Sequence, residues 1–306
     1  MTKKPTVSIA SCVRADCNYL QAYFNQIKSL LQEKSQIISV VLVHDRASVV
    51  SLSVLFQMQR DDPRIHLIEE SEQDHNIDNI EAKAEQWAKI GNQGVEKALE
   101  SNPDFILWVE ADLSFPLDTV DRLVSHDRDI IAPTVMLGAN FYDSWGFRTI
   151  DGHKIFNIKE IPAPINGISE LSSVGSCVLF RSSIFRDGVR SRGPYETGLL
   201  VGICNDARRL GYRVWVDTML SVIHPTSLWE QQLWRIEWLE VVSIKGEIMA
   251  AAGVNIIVAS WYPDFVMKTL SNIPDLKSIG ELNRFRLEVK RDTKNRTLRV
   301  SLIHND

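Results

Sequence analysis

The run Phe105-Ile106-Leu107-Trp108-Val109-Glu110-Ala111-Asp112-Leu113-Ser114-Phe115-Pro116 constrains the fold more than any other stretch of the chain. Its opening residues, Phe105 to Val109, are apolar and read as a buried strand. That strand delivers two carboxylates, Glu110 and Asp112, into the turn before Pro116. In open α/β sheets, ligands sit outside the carboxyl ends of the strands. A carboxylate pair at such an edge suits a hard divalent cation that also holds substrate phosphates. A solvated turn with Asp112 opening a helix cap is the plain alternative.

The surrounding sequence supplies the sheet that such a strand requires. Positions 7–11 read as a first strand, 16–33 as a helix, 37–44 as a second strand and 65–68 as a third. A helical pattern over 80–100 is marked by Trp87, Ile90, Val95 and Leu99, and another short strand is expected over 129–135. Strands alternating with helices predict an α/β fold, Rossmann-like, with a mostly parallel twisted sheet flanked by helices. From 138 to 172 the pattern weakens into Gly, Pro and Asn with scattered aromatics, as in a functional loop. Order returns with a strand over 173–181, a helix over 200–210 that stops at Gly211, and short strands over 213–216 and 219–223.

Beyond Pro225 the character changes. Positions 228–252 are expected to form a long helix carrying Trp229, Trp234 and Trp238, whose spacing sets the rings along one side. Core packing, or subunit packing in a homo-oligomer, is the favoured use of those rings; acceptor or membrane-surface contact is the lesser one. Positions 284–303 alternate Arg, Lys and Glu with apolar residues and read as a β-hairpin. The expected organisation is a main domain over 1–225 and a helix-plus-hairpin appendage over 226–306, packed on it.

Composition removes several classes. A chain of 306 residues with 44% hydrophobic and 24% charged content is globular. The balance of 34 basic against 39 acidic residues argues against a nucleic-acid partner, which selects basic domains. No apolar stretch approaches the ~18 residues that cross a bilayer. The basic N-terminus turns directly into a strand-like run and lacks the apolar core and cleavage site of a secretory signal. Cys12, Cys17, Cys177 and Cys204 show no C-x-x-C pairing, which fits reduced thiols in a cytoplasmic protein.

Several motifs in order carry a resemblance. Val7-Ser8-Ile9-Ala10-Ser11-Cys12-Val13-Arg14-Ala15-Asp16 resembles a first strand and nucleotide-binding turn, and Val43-His44-Asp45-Arg46-Ala47-Ser48 a second strand's end. Lys89-Ile90-Gly91-Asn92-Gln93-Gly94 resembles an "R-N-x-G" element, and Glu110-Ala111-Asp112 stands in the place of D-x-D. Tyr142-Asp143-Ser144-Trp145-Gly146-Phe147-Arg148 with Asp151-Gly152 resembles Y-D-x-W-x-x-R-x-x-D-G. Gly211-Tyr212-Arg213-Val214-Trp215-Val216-Asp217, then His224, resembles a "G-Y-x-V-W-V … H" ending. Together these are similar to the nucleotide-sugar glycosyltransferases of the GT-A fold, family 2-like, and to the Anp1-type and capsule-associated mannosyltransferases. The match runs loosely from Thr6 to Pro225.

The resemblance implies a metal-dependent transfer of a hexose, with mannose the first to consider, from a GDP- or UDP-linked donor to a glycan or other hydroxyl acceptor. It implies Mn²⁺ or Mg²⁺ held by Asp112, Glu110 and His224. Ser11, Arg14, Asp45, Lys89, Asn92 and Glu110 would contact the nucleotide, and Asp143, Trp145 and Arg148 the sugar. Two departures stand out. The first position of D-x-D is Glu. The acid that inverting relatives carry before the Gly-Tyr falls here on Leu199 or Leu200, leaving Glu196 as the acid-base candidate beside Asp112.

Each of these residues has a plainer use. His224 can be a loop histidine, Asp45 a turn former, Arg14 a surface charge, and Asn92 a partner within its own helix. A nucleotidyltransferase is disfavoured because Ser11 to Leu20 contains no glycine. A non-catalytic nucleotide-sugar binder is kept alive by the leucines at 199 and 200.

Overall fold

The computed structural model describes residues 4–13, 20–44, 49–70, 80–192, 198–224, 234–242, 248–258, 285–292 and 297–304. The chain divides into two compact units, Met1–Pro225 and Thr226–Asp306.

In the first unit the strands are β1 (Val7–Val13), β2 (Ile37–His44), β3 (Ile65–Glu69), β4 (Phe105–Val109), β5 (Ile130–Leu137), β6 (Asn140–Phe141), β7 (Ile168–Leu171), β8 (Cys177–Arg181) and β9 (Val214–Ile223). The helices are α1 (Leu20–Glu33), α2 (Val49–Asp61), α3 (Ile80–Leu99), α4 (Thr119–Ser125), α5 (Ser182–Arg186) and α6 (Gly198–Arg209). The sheet order is β3-β2-β1-β4-β8-β5-β9-β7, with β6 paired to the end of β5. β3, β2, β1 and β4 are mutually parallel, β8 runs against both its neighbours, and β9 runs parallel to β5. This is the expected α/β architecture, a large sheet whose strands mostly share one direction, flanked by helices.

Local sequence explains these elements. β4 is buried at every position because it lies between β1 and β8 with helices above and below, so its side chains have no wet face. α1 buries Leu20, Tyr23, Phe24, Ile27, Leu30 and Leu31, the i, i+3, i+4, i+7 stripe of a helix on a sheet. Each such buried side chain contributes about 1.5–3 kcal/mol relative to exposure. α3 lies close on the sheet because Gly94 presents no side chain. A Cβ there would stand 3.2 Å from Val43 and 3.5 Å from Trp108. The segments expected as separate strands over 213–216 and 219–223 are one strand, β9, with a register shift opposite Pro133/Thr134.

The shared direction of β1, β2, β4, β5 and β9 places Val13, His44, Val109, Leu137 and Ile223 at one sheet edge. Antiparallel β8 begins at that same edge, so Ser176, just before it, arrives there too.

The second unit is a sheet in the order β11-β10-β13-β12, made of β10 (Trp234–Val242), β11 (Ile248–Val258), β12 (Phe285–Asp292) and β13 (Thr297–His304). The helix expected over 228–252 is therefore corrected: its described residues form β10 and the start of β11. Aromatic and β-branched residues crowd β10, and β-branched residues recur through β11. Trp234 and Trp238 sit on β10, which pairs on both edges, while Trp229 lies outside the described residues. The oligomer surface built on a tryptophan-bearing helix loses its basis with that helix. No helix among the described residues is long and apolar enough to cross a membrane.

Candidate active site

At the carboxyl edge, the loop after β4 runs back along the end of β9. Glu110 donates its backbone N–H to the Ser176 carbonyl at 2.9 Å, and Leu113 turns back onto the Glu110 carbonyl at 3.1 Å. Ser114 and Ile223 then exchange backbone hydrogen bonds of 2.9 and 2.8 Å. That bridge carries Asp112 to His224, with Asp112 Oδ2 3.2 Å from His224 Nε2. His224 is only 1% exposed, and its backbone N–H is fixed to the Met136 carbonyl at 2.8 Å.

This pair is incompletely satisfied. Asp112 Oδ1 and His224 Nδ1 are both buried with no hydrogen-bond partner among the described residues. Leaving a buried carboxylate oxygen unpaired costs free energy that a bound cation would offset. A carboxylate with an imidazole is a donor set suited to Mn²⁺ or Mg²⁺, with phosphate oxygens and water filling the remaining positions. Among the described residues no group of three or more His, Cys, Asp or Glu side chains could hold a metal ion. Glu110 thus does not complete a three-ligand set with Asp112 and His224.

Asp143 sits in a different environment. Its Oδ1 accepts from the Gly146 N–H at 2.9 Å and its Oδ2 from the Ser176 hydroxyl at 2.7 Å. Burial pushes its carboxyl above the ordinary value, and those two donors offset the push only in part. The side chain closes the 143–147 turn against the segment before β8, with both oxygens committed internally. Gly146 and Gly175 permit this contact. A Cβ on Gly175 would stand 2.3 Å from Asp143 Oδ2, and one on Gly146 would stand 2.7 Å from the Gly175 Cα.

The neighbouring candidates Trp145 and Arg148 lie on the same loop. Lys154 Nζ lies 4.5 Å from the centroid of the half-buried Trp145 ring, whose Nε1 would be 3.1 Å from a Cβ on Gly198. Gly198 has φ of +56°, and only glycine meets both demands at the start of α6. Arg148 bridges through its backbone to Ser173 and Lys154.

The nucleotide-site candidates are dispersed. The Ser11 hydroxyl is buried against that of Tyr23. The exposed Lys89 ammonium lies 3.5 Å from the buried carboxylate of Glu70. Asn92 clamps the Ser191 backbone, accepting from its N–H at 2.9 Å and donating to its carbonyl at 3.2 Å. Arg14, Asp45 and Glu196 lie outside the described residues. Leu199 has a packing role: its Cδ1 would be 2.3 Å from a Cβ on Gly91, so the leucine fills a notch that glycine leaves in α3.

Two residues of this edge escaped the sequence reading. Ser176 anchors Asp143, and Tyr142 stacks on His224 with ring centroids 4.0 Å apart at 26°. Both belong to segments already singled out, but their contacts join positions distant in sequence that no spacing reveals.

No protein-family model matches the chain, and no curated protein sequence does. Among solved structures, the chain is similar to the mannosyltransferase PcManGT from Pyrobaculum calidifontis, in complex with GDP-Man and Mn²⁺. That match has 15% identity and a TM-score of 0.49, covering 72% of this chain and 57% of that one. It is also similar to GalNAc-T7 with UDP, GalNAc and Mn²⁺, at 12% identity and a TM-score of 0.49, covering 72% of this chain and 43% of that one. The chain therefore spans about half the length of the solved structures it matches, and likeness at this level transfers no residue roles.

Proposed function

We propose that this chain is a metal-dependent GT-A glycosyltransferase that moves a hexose from a nucleoside-diphosphate sugar to a hydroxyl acceptor such as a glycan. The observation that supports it most is the Asp112–His224 pair at the carboxyl edge of the sheet, with one buried carboxylate oxygen left without a partner among the described residues. Asp112 and His224 would hold Mn²⁺ or Mg²⁺, which when bound supplies positive charge against the departing nucleoside diphosphate.

The chain's own groups would do the rest. His224 presents its ring from backbone fixed to Met136, and Asp112 lies on the loop that Ser114 fixes to Ile223, so little reorganisation accompanies donor binding. The segment from Gly138 to Arg148, tied down by Asp143 and Ser176, would cover the sugar with the Trp145 ring and exclude water. Glu196, in this reading, orients the acceptor hydroxyl and takes its proton. The sequence resemblance makes GDP-mannose the first donor to test, and the buried free thiols of Cys177 and Cys204 accord with a reducing cytoplasmic setting.

Calorimetry with GDP and with UDP, each in the presence of Mn²⁺, tests binding, and sugar transfer to a hydroxyl acceptor tests turnover. Asp112→Ala should lower transfer by at least about 100-fold; turnover at the wild-type level would overturn the assignment. Glu196→Gln should keep donor affinity within about twofold while slowing transfer by about 10²–10⁴. Collapsed donor affinity would instead make Glu196 a binding or folding residue.

One observation favours a second reading, a nucleotide-sugar binder without turnover. Leu199 occupies by packing the region where inverting relatives carry an acid. Binding of a donor with neither transfer nor hydrolysis across several sugars would select it.

A further inference from the structure

We infer that Tyr142 is a positioning residue for His224, holding the imidazole in the orientation that serves the ion; this rests on the metal reading above. Metal-bound histidines are ordinarily oriented by a hydrogen bond from the second ring nitrogen to a carboxylate, a carbonyl or water. His224 has no such bond among the described residues: its Nδ1 is buried and without a partner. Its ring is constrained instead by two contacts. Nε2 faces Asp112 Oδ2 at 3.2 Å, and the flat face of the ring lies on Tyr142, centroids 4.0 Å apart at 26°.

The Asp112 contact cannot hold the ring alone, because a cation placed between Asp112 and His224 replaces that hydrogen bond. Tyr142 remains, and stacking fixes the ring plane while leaving Nε2 open. The backbone makes the stack rigid. Tyr142 donates its N–H to the Val135 carbonyl at 2.9 Å, and His224 donates its own to the adjacent Met136 carbonyl at 2.8 Å. Successive carbonyls of a strand point to opposite edges. The two rings are thus hung from neighbouring residues of β5, Tyr142 arriving through β6 and His224 through β9. Asp143, the next residue, pins the Tyr142 backbone on its far side through Gly146 and Ser176.

The test uses the full chain as wild type, Y142F, Y142L and H224A. Without metal, the ring C–H proton resonances of His224, identified by their loss in H224A, should be displaced by the aromatic ring current. That displacement should persist in Y142F and vanish in Y142L. Titrating Mn²⁺ with GDP or UDP, read by loss of the free-ion paramagnetic resonance signal, should give Y142F an affinity within about twofold of wild type. Y142L should bind on the order of tenfold more weakly, as loss of an orienting partner does. Equal loss in Y142F and Y142L would remove the stacking argument, and it also covers the case in which replacing Tyr142 merely unfolds the edge. Wild-type affinity in Y142L alongside weakened H224A would overturn the role of Tyr142 and leave the metal reading standing. Unchanged affinity in H224A would bring down His224 as a ligand, and this inference with it.

Discussion

The middle of β9 and its carboxyl end each bury an aspartate interaction, and they solve the problem of buried charge differently. At mid-strand, Asp217 is 1% exposed and fully paired. Its oxygens take Arg122 at 2.7 and 3.0 Å, His126 at 3.0 Å and the Met219 N–H at 2.8 Å. Burial alone would push the Asp217 carboxyl up, yet those donors together hold it below the ordinary carboxylate value. At the strand's end, Asp112 meets His224 through one oxygen and leaves the other unpartnered. A carboxylate whose lone pairs are all taken serves the fold. One that retains a buried free oxygen is suited to a ligand, and β9 meets the first kind at its middle and the second just past its end.

Substitution should separate the two ends, most strongly at Asp217. Asp217→Ala leaves the Arg122 guanidinium without its carboxylate and should lower the unfolding free energy in urea by about 3 kcal/mol, the low end for a buried pair because Arg122 is partly solvated. Asp112→Ala removes an unsatisfied oxygen along with a single contact to His224, and should change it by only about 1–2 kcal/mol. Equal destabilisation would erase the contrast. Next in size, Gly175→Ala should cost about 1–3 kcal/mol, because the new Cβ meets Asp143 Oδ2 at a distance only displacement can relieve. A melting point unchanged from wild type would show that the Asp143 turn is looser than its geometry.

The smallest and most graded effect is the response to acid. Hydrogen bonding to Lys34 lowers the Asp121 carboxyl, hydrogen bonding to Arg64 lowers that of Asp62, and Asp217 is lowered as above. Each folded value lies below its unfolded one, so its contribution is complete above about pH 4 and is lost as pH falls through the folded value. The urea midpoint should therefore hold steady from pH 7 to 5 and decline toward pH 3. The decline should be shallower in Asp217→Asn, and an equal slope in that variant would exclude Asp217 as a contributor.

What the sequence disclosed followed from local pattern. Continuous apolar runs marked β2 and β4, and the six-residue stripe of α1 has helical spacing throughout. α2 went unrecognised because Val49-Val50-Ser51-Leu52-Ser53-Val54 alternates and is β-branched, which conceals a helix whose stability comes from packing. β10 and the start of β11 read as a helix because tryptophans five and four apart imitate its period, although Ile236, Val241 and Val242 favour a strand. At the candidate site, Asp112 and His224 could be named from motif order. Their orphaned atoms, the Tyr142 stack and the Asp143–Ser176 bond come from contacts across the sheet, which a linear pattern does not encode. The Arg122–Asp217 pair, 95 positions apart, is hidden for the same reason.

The meeting of Gly146 with Gly175 also bears on any attempt to retarget this protein by mutagenesis. Two backbones touch there with no room for a methyl group, so a library that varies either position would be filled with misfolded members. Diversity introduced at Ala139 and Asn140, which are exposed at the tip of the β5–β6 hairpin, leaves that contact intact. The loop therefore has a fixed root and an editable crown.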